Sequence, residues 1–263
     1  MDERRVPWIN DEARALLGAE RDRVPVASLT ERRGGLALED AYLIQAAAIA
    51  RRIAGGARVV GHKAGVTSKA MQEQMGVDEP DSGVLLDHMV LHSGSTLVRS
   101  ELMQPRVEAE IAFRLGYDLS GPDTSVDAAR NAVAEVFLAL EVIDTRFTGW
   151  RITVADSIAD NASCARVVTG PMVPFDADMD LAAESLVISV NGVAVATGEG
   201  RAVLGHPLSA LVWLAHRLNR FGAGLKAGDI VLAGAVHASL PLEAGSTVRT
   251  HSPHLPAVAL CVT

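Results

Sequence analysis

Apolar positions near the start of the chain recur every three to four residues, the period of an α-helix. A first helix is predicted from about Asn10 to Arg21, with Asn10 as N-cap and Asp11 and Glu12 in its first turn. A second is predicted from about Leu38 to Ile53, where Leu43, Ala47, Ala50 and Ala54 form a stripe and Gly55-Gly56 ends it. From Arg58 the texture changes to short β-rich runs: Val59-Val60, Val84 to Leu86, Val107 to Leu115, Leu138 to Ile143, Val167-Val168, Ile230 to Leu232 and Val258 to Val262. Leu186 to Val190 and Val193 to Thr197 flank Asn191-Gly192, a dipeptide suited to a two-residue hairpin turn. Two helices interrupt these runs, one over about Val126 to Val136 behind Ser125 or Thr124, the other over about Leu208 to Phe221, stopped by Gly222. Strands and helices do not alternate, which argues against a doubly wound sheet. The pattern predicts an α+β chain, with a helical segment at 1–57 and a rolled, mostly antiparallel β domain over 58–263.

Composition sets bounds on this picture. The chain has 263 residues, 49% of them apolar, enough for one large core, but only 4% are aromatic, so that core is built from Ala, Val, Leu and Ile. A net charge of −8 argues against nucleic acid as a partner. Cys164 and Cys261 are far apart in sequence and suggest no disulfide framework, which fits a reducing cytoplasm. The start Met1-Asp2-Glu3-Arg4-Arg5 leads into no apolar leader segment, and no run of about 20 apolar residues is present to span a membrane.

Two glutamates stand one residue apart inside the run Val107-Glu108-Ala109-Glu110-Ile111-Ala112-Phe113. On a strand, Val107, Ala109, Ile111 and Phe113 share a core face while Glu108 and Glu110 share the other, roughly 6.6 Å apart. Like charges that close repel unless solvent or a cation compensates. The pair alone admits either a solvated face or a divalent cation. Leu138-Ala139-Leu140-Glu141-Val142-Ile143-Asp144 offers a third carboxylate inside an apolar run, to be paired, metal-bound or protonated. A salt bridge to Arg106 or Arg146 is one reading of Glu141. A cation is the other, and three carboxylates with no nearby cysteine suit Mg²⁺ best and Mn²⁺ next.

Further on, Gly61-His62-Lys63-Ala64-Gly65-Val66-Thr67-Ser68 places glycines around one lysine, at the wrong spacing for a phosphate-binding Walker loop. Pro80-Asp81-Ser82-Gly83 reads as a turn, and Asp156 to Cys164 as a polar loop. Taken in order with Ala70-Met71-Gln72, Gly76-Val77, Pro105 to Phe113, Leu140 to Arg146, Ala159-Asp160-Asn161-Ala162-Ser163, Leu204 to Leu208, Trp213 to Ala215 and Ala227 to Ile230, these segments cover nearly the whole chain. The ordered set resembles the 2-oxopent-4-enoate hydratase and 4-oxalocrotonate decarboxylase family of the fumarylacetoacetate hydrolase superfamily.

The resemblance implies a mixed β-roll with N-terminal helices. It implies Glu108, Glu110 and Glu141 as ligands of Mg²⁺ or Mn²⁺, Lys63 and Asp81 as the acid–base pair, and Ser163, Asn161 and His62 around the substrate. Lys63 is expected to have a lowered pKa, as a partly buried amine near a metal would. The implied reaction is hydration of 2-hydroxypenta-2,4-dienoate, or an alkyl-substituted relative, to a 4-hydroxy-2-oxo acid in meta-cleavage aromatic catabolism; decarboxylation of 2-oxohex-3-enedioate (4-oxalocrotonate) is the alternative. A small-molecule substrate, a homo-oligomer built on a pentamer and association with a pathway enzyme belong to the same expectation. Two positions depart from the family pattern. Ser82 stands where an aromatic is usual, and Ala233-Gly234-Ala235-Val236-His237 replaces Thr-Gly-Ala-Leu-Gly. Both are expected near the distal end of the substrate.

Overall fold

The computed structural model describes residues 5–75 and 77–263. The leader reading of residues 1–4 and Gly76 of the family pattern lie outside the described residues. Three helices come first: α1 (Arg5–Asp22), α2 (Leu29–Arg33) and α3 (Leu38–Ala54). Helix α1 begins well before Asn10, which is a correction to the predicted cap. Pro7 suits a first turn, where the N–H it lacks would be unbonded anyway. Asn10 instead lies inside the helix, its Oδ1 accepting from Arg51 Nη2 of α3 at 3.1 Å. Helix α2 was not predicted; five residues show no period, and the signals are Ser28, whose Oγ accepts from Glu31 N, and Gly34, left-handed at φ 69°.

The β-rich part runs β1 (Val59–Gly65), α4 (Lys69–Met75), β2 (Asp81–Leu86), β3 (Val90–His92), β4 (Thr96–Leu97), β5 (Arg106–Leu115), α5 (Val126–Ala132), β6 (Val133–Ile143), α6 (Val154–Ala159) and β7 (Cys164–Thr169). It continues with β8 (Val173–Pro174), β9 (Ser185–Val190), β10 (Val193–Glu199), α7 (Pro207–Asn219), β11 (Ile230–Ala235), β12 (Leu240–Pro241), β13 (Thr247–His251) and β14 (Val258–Val262). The hairpin turns at Asn191 and Gly192, both at positive φ, as a primed two-residue turn requires. Helix α5 stops at Ala132, four residues short of the prediction. Val133 and Glu135 are drawn into a ladder with Leu115 and Arg114, and Arg114 pairs with Glu135 across it. The first four residues of the predicted polar loop at 156–164 belong to α6. Thr153 and Asp156 close its N-terminus reciprocally, a capping box.

Among the described residues the strands form two sheets. The larger runs β2-β1-β11-β5-β6-β7-β3, with β12 added to β5 and β8 to β6; β1–β11 and β3–β7 are parallel and the other pairs antiparallel. The smaller runs β10-β9-β13-β14-β4. One face of the large sheet, with Val107, Ala109, Ile111 and Phe113, packs into the main core with α7 and the second sheet. The other face carries Ala112, Phe137, Ala139, Val167 and Leu232 against Ile49 of α3. Helices α1 to α3 build a third core with Phe147 and α6, so the N-terminal helices are joined to the β-rich part through α6 as well as through Ile49. No helix among the described residues is long and apolar enough to cross a membrane.

Candidate metal and acid–base site

Strand register gathers the carboxylates. Glu108 lies directly opposite Glu141, and Glu110 opposite Ala139 beside it, so the period-two pleat turns all three onto the α3 side of the large sheet. One oxygen from each lies within 4.8 Å of the others. Glu110 and Glu141 are 1% and 0% exposed and Glu108 is half-buried, which removes the reading of a solvated strand face. Glu110 Oε2 accepts the Gly234 N–H at 2.7 Å, but Glu110 Oε1 and both Glu141 oxygens are buried without a hydrogen-bond partner. Burial, then Glu141, pushes Glu108 up to about 7, and burial with Glu141 and Glu108 holds Glu110 well above the carboxylate range. Three carboxyls this close together cannot all ionise there unless a positive charge joins them. Neither arginine considered for Glu141 reaches it. Arg106 bonds to Ser239 Oγ and O, and Arg146 clamps Asp160.

The metal-free protein therefore holds extra protons. Glu108 ordinarily titrates near 4.5 and here near 7, so between these values the folded chain binds more protons than the unfolded one and loses stability as pH rises. Urea melts in EDTA are expected to show Glu108→Gln pulling ahead of wild type as pH rises from about 5 to about 7.5. A gap that stays constant over that range would contradict the cluster's charge state.

Lys63 supplies the neighbouring cation. Lys63 pairs with Leu232, and Leu232 with Ala112, so its side chain emerges on the glutamate face. It is 4% exposed, with Nζ 3.4 Å from Glu141 Oε2. Burial opposes its charge, but Glu141, Asp81 and Glu108 outweigh burial and hold its pKa above the usual lysine range. The lowering is expected beside a bound cation; without one the carboxylates outnumber the amine. Asp81 faces the same way from β2, opposite Gly65. A Cβ at Gly65 would overlap Asp81 Oδ1 and press on Lys63 Nζ, so glycine there lets the acid and amine meet. Asp81 Oδ2 accepts from Ser157 Oγ at 3.0 Å, whereas Oδ1 is buried and partnerless. Burial raises Asp81 above the ordinary carboxylate range, against the pull of Lys63 and Ser157.

The turn from α6 to β7 brings Ser163 in. Asn161, Ala162 and Ser163 are all left-handed, at φ 57°, 50° and 58°, an unfavourable run for side-chain-bearing residues. The run is clamped at its start. Asn161 Oδ1 and Nδ2 bond to Val84 N and O of β2 at 2.8 and 2.9 Å. Asp160 accepts from Arg146 N and Nε, and Arg146 Nη2 donates to Asp160 O. Asn161 thus spends its side chain on β2 and positions the turn. Ser163 Oγ remains buried without a partner. Asp160→Ala strands the buried Arg146 guanidinium and is expected to cost about 3–5 kcal/mol in a urea melt; a loss under about 1 kcal/mol would show the turn standing without its clamp.

His62 is not brought to the cluster. One residue from Lys63 on the strand, it points to the opposite face with Ala64, where burial lowers its pKa to about 4. Ser82 likewise turns away from the carboxylates and donates to Tyr42 Oη at 3.3 Å. His237 Nε2 accepts from Ala109 N at 3.3 Å and so buttresses β5 between the two glutamates. The sequence reading missed Ser157 and Cys164, a buried thiol packed on the glutamate face. Ser157 had a signal in the capping box that places it on a helix; Cys164 had none. A cleft of about 610 Å³ opens beside Thr67, whose side chain abuts Gly234, next to Glu110.

Known proteins match this chain along its length. The family described as fumarylacetoacetate (FAA) hydrolase C-terminal matches residues 56–263. The 2-hydroxyhexa-2,4-dienoate hydratase of Comamonas testosteroni is 39% identical over 240 residues, 90% of this chain and 91% of that relative. The 2-keto-4-pentenoate hydratase of Paraburkholderia xenovorans (strain LB400) is 39% identical over 241 residues, 92% of this chain and 90% of that relative. Among solved structures, the 4-oxalocrotonate decarboxylase from Pseudomonas putida G7, complexed with magnesium and adipate, superposes with a TM-score of 0.94 at 32% identity over 97% of both chains. With its curled mixed sheets, N-terminal helices and ordered motifs, this chain belongs to the fumarylacetoacetate hydrolase family.

Proposed function

We propose that this chain is a lyase that hydrates 2-hydroxypenta-2,4-dienoate, or an alkyl-substituted analogue, to a 4-hydroxy-2-oxo acid in meta-cleavage aromatic catabolism, with Mg²⁺ or Mn²⁺ as cofactor. The observation that carries it is a buried trio of carboxylates with unpartnered oxygens beside a lysine–aspartate pair, in a chain resembling hydratases over nine-tenths of its length. The donor set fits a hard dication: oxygen atoms only, close together and under-neutralised. Glu108, Glu110 and Glu141 would hold the ion. When bound, it supplies Lewis acidity toward a substrate oxygen.

The chain's own residues account for the protons. Hydration removes the C2 hydroxyl proton and places one on C5, giving a conjugated ketone; water then adds its oxygen at C4 and leaves a proton at C3. Lys63 Nζ and Asp81 Oδ1 share one buried corner, so a proton passed between them and the substrate is never released to bulk water. Ser163 Oγ, orphaned and held by a strained turn, is a donor for a substrate oxygen. Asn161 acts through that turn, and His62 through the back of β1. Residues 58–263 form the catalytic part, and the helices from Arg5 to Ala54 an appendage to it. A cytoplasmic location, a pentamer-based homo-oligomer and contact with a pathway enzyme accompany this reading.

The fit to the decarboxylase structure at a TM-score of 0.94 supports a second reading, loss of CO₂ from 2-oxohex-3-enedioate. Parallel assays separate the two. Loss of dienol absorbance from 2-hydroxypenta-2,4-dienoate, with no CO₂ from 2-oxohex-3-enedioate, is the expected result. CO₂ release alone would replace hydration with decarboxylation.

A further inference from the structure

We infer that Ser157 is a positioning residue for Asp81, and that the N-terminal helices reach the site through it. The inference rests on Asp81 being an acid–base group, as proposed above. Asp81 is 1% exposed, and its two oxygens differ: Oδ2 accepts from Ser157 Oγ at 3.0 Å, while Oδ1 has no hydrogen-bond partner and lies over Gly65 toward Lys63. A carboxylate rotates about its Cβ–Cγ bond unless one oxygen is tied. A carboxylate can only accept, so the Ser157 hydroxyl must be the donor whenever Asp81 is ionised. The tie therefore leaves Oδ1 as the oxygen aimed at the amine.

Ser157 is itself held in register with Asp81 by a second link. Gln45 Nε2 of α3 donates to Ser82 O at 2.8 Å and to Ile158 O at 3.0 Å, the residues immediately after Asp81 and Ser157. One buried amide thus spans β2 and α6 beside the serine–aspartate bond. Helix α6 is also fixed from α2, where Thr30 N donates to Asp156 Oδ1 at 2.9 Å. Every residue of α6 is buried, so the serine sits in a rigid frame rather than a loop. This frame gives the helical segment a part in aligning the reaction.

Steady-state kinetics of Ser157→Ala, Ser157→Thr and Asp81→Asn with 2-hydroxypenta-2,4-dienoate and saturating Mg²⁺ test this. Ser157→Ala is expected to lower kcat roughly 10- to 100-fold with KM within about twofold, because alignment rather than binding is lost. Ser157→Thr, which keeps the hydroxyl, is expected to restore kcat to within about threefold of wild type. Wild-type kcat in Ser157→Ala, with Asp81→Asn inactive, overturns the positioning role and leaves Asp81 in place. An active Asp81→Asn overturns the reading of Asp81 and this inference with it. Ser157→Cys fills the same space with a weaker donor and covers the case in which alanine does not fold: a severalfold fall in kcat supports the tie, and an unchanged kcat overturns it.

Discussion

Glu108→Gln is expected to abolish metal-dependent turnover and at the same time to stabilise the metal-free fold. Activity is expected to fall by at least about 100-fold, since even partners behind a metal ligand cost 10- to 100-fold when removed. The stability change has the opposite sign. Glu108 sits opposite Glu141 and close to Glu110, its pKa pushed up to about 7, so removing its charge relieves repulsion whenever no cation is bound. The melting midpoint in EDTA is expected to rise by about 2–6 °C. Saturating Mg²⁺ is expected to raise the wild-type midpoint by binding the folded state alone, and that increment is expected to shrink or disappear in the variant. Full activity in Glu108→Gln, or an equal Mg²⁺-induced shift in both proteins, would remove Glu108 from the ligand set.

Lys63→Met has the second largest effect, and both its consequences point the same way. The proposed acid–base partner of Asp81 is lost, and kcat is expected to fall by about 10²- to 10⁴-fold. The buried carboxylates also lose the ammonium 3.4 Å from Glu141 Oε2. Breaking one side of a buried ion pair costs about 3–5 kcal/mol, here in the metal-free protein. Adding Glu141→Gln to Lys63→Met should recover part of that stability while activity stays lost, because the stranded charge is gone. A double variant less stable than Lys63→Met alone would show that Glu141 is not the partner the lysine neutralises.

Much of this site could be read from residue order. Alternation in Val107 to Phe113 turned two glutamates off the core face, and the lone acid in Leu138 to Ile143 supplied the third. The hairpin at Asn191-Gly192, α3 and α7 carried signals strong enough to stand without tertiary context. The misses share a cause. Helices α2, α4 and α6 have seven residues or fewer, too short for a period, and the two with resolved caps, α2 and α6, are held by those caps. Helix α5 gave way to β6 where pairing with β5 outbid local helical preference. Most telling is Lys63. Burial alone argues for a lowered pKa, but the registers that bring Glu141, Asp81 and Glu108 around it are tertiary facts, and three carboxylates outweigh one desolvation. His62 and Ser82 show the same limit: each neighbours a site residue in sequence, and the pleat sends each to the other face.

The most direct measurement is NMR identification of the product formed from freshly generated 2-hydroxypenta-2,4-dienoate, with Mg²⁺ in one tube and EDTA in the other. Formation of 4-hydroxy-2-oxopentanoate with Mg²⁺ and its absence in EDTA is the result expected of a hydratase that works through Glu108, Glu110 and Glu141. The same product at the same rate in EDTA would contradict the metal-dependent mechanism, and no product in either tube would contradict hydration itself.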